Sequence, residues 1–66
     1  MNNKIRVARA EVRMTQQQLA EAVDVSRQTI NAIESGKFVP STVLALKIAR
    51  TFGKSVEDIF FLEEND

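Results

Sequence analysis

The chain has 66 residues, nine basic against nine acidic side chains, and 44% apolar residues. That describes one globular domain, near the lower limit of what a hydrophobic core sustains alone. Cysteine and histidine are both absent, which excludes a disulfide scaffold, a thiolate metal site and the commonest general base.

Five helical segments can be delimited by their ends. The first is expected from Asn3 or Lys4 to about Arg13, with Ile5, Ala8 and Val12 as its buried stripe. Thr15 with Gln18 three residues on forms a capping box for the second, where Leu19, Ala20 and Val23 face inward. Ser26 caps the third, and Gly36 stops it. Pro40 prevents any helix from crossing the loop Lys37–Pro40. Ser41 caps the fourth helix, whose apolar face is Ala45, Ile48, Ala49 and Phe52, with Gly53 as its stop. Ser55 with Asp58 caps a short fifth helix from Val56 to about Phe60. Residues 61–66 are expected to be an extended or frayed tail.

No apolar run approaches the ~20 residues of a membrane span. The N-terminus lacks the charged-then-apolar pattern of a signal peptide. A cytoplasmic protein with no membrane partner is expected. Net charge is zero, which taken alone argues against a nucleic-acid partner. The charge is nevertheless polarised: residues 1–37 carry six basic and four acidic side chains, residues 38–66 three and five.

The third helix raises a question of economy, because only Ile30 and Ile33 are large and apolar within it. A helix turns about 100° per residue, so with Arg27 at 0° the two isoleucines centre near 270°. The opposite side holds Gln28 and Ser35, flanked by Asn31 and Ala32, with Arg27 at its edge. Arg pairs with guanine through two hydrogen bonds, Gln and Asn pair with adenine, and a small apolar group meets a thymine methyl. Solvated polar surface is the commoner explanation for such a face. The link Asp24-Val25-Ser26 changes the balance, because so short a connection forces helices two and three to cross sharply. Ala20 is small enough for the crossing point. Val25 and Ile30 pin the second helix of the pair, an arrangement that presents a helix to the DNA major groove.

The run T-Q-Q-Q-L-A-E-A-V-D-V-S-R-Q-T-I-N-A-I-E-S-G-K, with the later P-S and L-K-I-A, resembles the Cro/CI-type, or XRE, helix-turn-helix family. Small stand-alone repressors of the cytolysin-repressor type look most similar. The resemblance implies an all-α, five-helix, lambda-repressor-like fold as a single domain over residues 1–66, with its core in 4–60. It implies base contacts from Arg27, Gln28, Asn31 and Ala32, and backbone contacts from Gln16, Thr29, Lys37 and Arg13. Arg9 and Glu34 match a structural ion pair between helices one and three. Asp24 stands where glycine is frequent, and Asp tolerates the left-handed conformation required there. Thr42 stands where leucine is usual, and Val43 and Leu44 are apolar where polar residues are common, so Leu44 is expected to be exposed.

Phe60 is expected in the core, leaving Leu44, Phe61 and Leu62 as a homodimer surface. Met1–Asn2 and Phe61–Glu63 are candidates for short paired strands. The functional expectation is a sequence-specific double-stranded DNA-binding regulator, a repressor acting as a homodimer on a palindromic operator. No cofactor or small-molecule ligand is expected. An antitoxin or other protein-binding module of the same fold is the alternative, supported by Phe61, Leu62 and the acidic tail. An enzyme fits poorly, since neither a Gly-rich phosphate loop nor a metal cluster is encoded.

Overall fold

Local side-chain chemistry sets where four of the five helices begin. In the computed structural model, which describes residues 1–66, the elements run β1 (Asn2–Asn3), α1 (Ile5–Glu11), α2 (Gln16–Val23), α3 (Arg27–Glu34), α4 (Thr42–Thr51), α5 (Val56–Ile59) and β2 (Phe60–Phe61). The hydroxyls of Thr15, Ser26, Ser41 and Ser55 accept the N–H of Gln18, Thr29, Leu44 and Asp58. Each satisfies a donor that the first helical turn leaves without a partner. Gln18 and Asp58 return the bond to the N–H of Thr15 and Ser55, at 2.9 and 3.1 Å, completing two capping boxes. Helix α1 begins differently: the N–H of Ile5 donates to Asn3 Oδ1 at 3.2 Å.

The helices close around Ile5, Leu19, Ile30, Ile33, Ile48 and Ile59, all fully buried, at least one from each helix. Ala20, expected from the sequence to lie between the two helices, is fully buried. Asp24 ends α2 in the left-handed region (φ 60°, ψ 48°), and the N–H of Val25 reaches back to the Ala20 carbonyl at 3.0 Å. That reversal is the turn between the two helices. Gly36 and Gly53 take the same region after α3 and α4.

Several expectations need correction. Helix α1 stops at Glu11, and Val12 is 56% exposed rather than buried. Val12 is the residue at which the chain leaves the helix (φ −109°, ψ 8°), and Arg13 after it takes φ 55°. Leu44 is half-buried against the core; the exposed apolar residues of α4 are Val43 and Leu46. Phe60 enters the core as expected, but α5 ends one residue before it. Phe61 is also half-buried. It pairs with Asn2 in a two-stranded antiparallel sheet within the chain, and Lys4 Nζ lies 5.0 Å from its ring centroid. The tail then turns back, placing Asp66 3.2 Å from the Met1 ammonium. Leu62 alone of the three proposed dimer residues is strongly exposed.

The Asp24 conformation is costly for a β-branched residue. Asp24→Val is expected to destabilise the domain by about 1–2 kcal/mol, lowering its thermal midpoint by roughly 4–8 °C per kcal/mol. Calorimetry that finds an unchanged midpoint would show that the turn carries no such constraint.

Candidate nucleic-acid interface

Helix α3 rests on Ile30 and Ile33, and its other side is open. Arg27, Gln28, Asn31 and Ser35 are exposed, with Thr29 and Ala32 half-buried at the margins. The Thr29 hydroxyl is already engaged, 2.9 Å from Ser26 Oγ. The segment after α3 is held rather than loose: the Ala32 carbonyl accepts the N–H of Lys37 at 2.9 Å and of Phe38 at 3.2 Å. Lys37 therefore projects from a fixed point at the C-terminal end of the exposed face. Arg13 is exposed in the α1–α2 connection.

Behind this face, Arg9 and Glu34 meet as the resemblance implied. Arg9 Nε and Nη2 donate to the two Glu34 oxygens at 2.7 and 3.0 Å, a bidentate pair. Arg9 Nη1 also donates to the Met14 carbonyl at 2.9 Å, fastening the α1–α2 connection to α3. The Glu34 side chain is 1% exposed. Burial pushes its carboxyl pKa up, but the hydrogen bonds from Arg9 and Gln16 and the charges of Arg9 and Arg6 outweigh it. The result lies below the usual carboxylate range. Its partner's guanidinium is shifted upward, chiefly by the hydrogen bond to Glu34.

Gln16, expected to meet a phosphate, instead turns its side-chain nitrogen inward. Nε2 donates to Glu34 Oε1 at 3.2 Å and to Asn31 Oδ1 at 3.3 Å. The side chain thus links the buried ion pair to the exposed face. Two contributors escaped sequence reasoning. Asn3 Nδ2 donates to the Ile33 carbonyl at 2.8 Å, tying the N-terminal arm to the end of α3. Arg6 adds a second cation 3.6 Å from Glu34. Arg6 lies three residues before Arg9, a spacing that shares a helix face and is the one sequence signal for it.

Removing Arg9 alone takes away the bidentate partner of a buried carboxylate and leaves only the largely exposed Arg6 and the Gln16 amide against it, at a cost of up to roughly 3–5 kcal/mol. A domain of this size is stabilised by only about 3–10 kcal/mol in all. Arg9→Met is therefore expected to be mostly unfolded or severely destabilised in urea titrations, and the double variant Arg9→Met/Glu34→Leu to recover much of the loss. Because the folded-state pKa of Glu34 is depressed, the pair contributes fully above the unfolded value of about 4.3. Its contribution is lost as pH falls through the folded-state pKa. The native protein should lose more stability on acidification than the double variant does. Asp58 and Asp66, whose carboxyls are also held low, are common to both proteins and cancel in the difference. Equal acid sensitivity in the two proteins would contradict the role given to Glu34.

Comparison with known proteins agrees with this geometry. The helix-turn-helix family profile matches residues 5–59. The uncharacterised HTH-type transcriptional regulator YgzD of Bacillus subtilis is 48% identical over 66 residues, covering all of both chains. An uncharacterised HTH-type transcriptional regulator of Methanocaldococcus jannaschii is 52% identical, again over both full chains. Among solved structures, the clp gene regulator ClgR from Corynebacterium glutamicum superposes with a TM-score of 0.77 at 33% identity. That match covers 82% of this chain and 57% of ClgR, so ClgR has a large portion with no counterpart here. From its sequence, its five helices and its crossing pair α2–α3, the chain belongs to the Cro/CI-type, or XRE, helix-turn-helix family of transcriptional regulators.

Proposed function

We propose that this regulator is a repressor that acts in the cytoplasm as a homodimer on a palindromic operator. The observation that carries the reading is the α3 face: open, rich in donors and acceptors, and braced from behind by Ile30, Ile33 and the Arg9–Glu34 pair. In this reading Arg27 and Gln28 bond base edges, Asn31 reads a neighbouring pair, and Ala32 admits close approach to a thymine methyl. Lys37 and Arg13 meet phosphates and set the register, with Thr29 at the groove edge. Gln16 contributes through its main-chain N–H at the start of α2, since its side-chain nitrogen is already committed.

The dimer surface is the outer side of α4 together with the chain end. Val43, Leu46 and Leu62 expose apolar area there, taking the place first given to Leu44 and Phe61. Operator half-sites lie about 34 Å apart, one turn of DNA. The domain measures 31 × 22 × 20 Å, so its longest dimension is close to that spacing. Zero net charge implies modest affinity for non-specific DNA, which places more of the binding on base contacts.

Selection of bound sites from random duplex DNA should enrich an inverted repeat. Arg27→Ala should then cost about 1–3 kcal/mol of specific binding and relax preference at one base pair of each half-site. Unchanged specificity would remove Arg27 from the base-reading set. Lys37→Ala should weaken binding to all sequences alike and reduce the salt slope by about one; an unaltered slope would contradict the phosphate contact.

A further inference from the structure

Gln16 stands between a group of fixed polarity and a group that reads DNA. A glutamine amide has two N–H donors on one end and an acceptor oxygen on the other. An ionised carboxylate can only accept, so the end of Gln16 that meets Glu34 Oε1 must be its nitrogen. The second N–H of that nitrogen goes to Asn31. Facing a donor, Asn31 must present its oxygen, which leaves its NH₂ group as the free end. The orientation of an exposed amide is thus dictated, through one intermediary, by a carboxylate whose side chain is 1% exposed.

We propose that Gln16 is a positioning residue that turns Asn31 so that its donors lead toward the DNA, making Asn31 select guanine over adenine at the base pair it meets. An asparagine with both ends free pairs with adenine, accepting from the N6 amine while donating to N7. Guanine offers two acceptors in the major groove, N7 and O6. With its oxygen held by Gln16, Asn31 enters the groove as a donor. It suits guanine and leaves the adenine amine opposed by another donor. The inference rests on the DNA-reading function proposed above and adds the base chosen at one position.

The test is site selection from a random-sequence duplex library with the native protein, Asn31→Ala, Gln16→Met and Arg27→Ala, each first checked for native helicity by circular dichroism. The pair whose preference disappears in Asn31→Ala is the one that Asn31 reads. At that pair the native protein should prefer guanine over adenine by about tenfold. Gln16→Met should reduce that ratio toward one while the preference lost in Arg27→Ala stays intact. Three results would overturn the inference while leaving an operator in place: no pair that responds to Asn31→Ala, a native preference for adenine there, or a guanine preference that survives Gln16→Met. A uniform loss of affinity in Gln16→Met, with every base preference retained, would likewise overturn it, because a bracing role lowers affinity without moving specificity. If the native protein enriches no sequence at all, the DNA-reading function itself fails, and the inference falls with it.

Discussion

A carboxylate that cannot reach water organises this domain. Glu34 sits on the back of α3 and takes hydrogen bonds from α1 through Arg9 and from α2 through Gln16. Arg9 carries the same network to the Met14 carbonyl in the α1–α2 connection. Three helices therefore meet at one side chain, and Arg9 ties the α1–α2 connection to it. In a chain whose core is twelve buried apolar residues, such a point does what apolar packing does poorly. Aliphatic contacts tolerate sliding, whereas a bidentate guanidinium–carboxylate pair accepts one geometry. Buried pairs are weak sources of net stability compared with apolar replacements. What this one supplies is registration of α3 against the rest of the fold, which a helix that must meet a duplex requires.

The molecule's surfaces divide accordingly. One side of α3 is polar and open, and the segment that follows it is pinned to the Ala32 carbonyl. The outer side of α4 is apolar and open at Val43 and Leu46. The two chain ends form a small closed unit of their own, in which β1 pairs with β2 and Met1 meets Asp66. Asn3 connects that unit to the C-terminal end of α3 through the Ile33 carbonyl. The chain ends are thus part of the support for α3, and no helix is long and apolar enough to cross a membrane.

Features set by short-range chemistry were legible in the sequence. The four hydroxyl caps, both capping boxes, the left-handed Asp24 and the glycine stops all depend on residues within a few positions of one another. The two faces of α3 followed from angular spacing alone. The end of α1 was harder, because no glycine or proline marks it. A periodic stripe extended to Val12 looks continuous in sequence even though the backbone leaves the helix at Val12 and turns at the next residue, Arg13. The cover over Leu44 and Phe61 comes from distant elements, the assembled core for one and the N-terminal arm for the other, which local sequence does not encode. The Arg9–Glu34 pair was accessible only through family resemblance, since nothing local connects residues 25 apart. The Gln16–Asn31 bond was not foreseen by any route. Its formation depends on where two helices place their side chains after the core has closed.

The α3 face is open and held in register by the Glu34 network, as contact with a duplex requires. Side-chain and backbone NMR of the labelled protein, titrated with duplex DNA that it has been shown to bind, tests this most directly. The account predicts that the largest shifts fall on Arg27, Gln28, Asn31 and Lys37, with intermolecular contacts from those side chains to the DNA. Shifts confined to α4 and the chain ends, with the α3 side chains unmoved and no contacts from them, would contradict it.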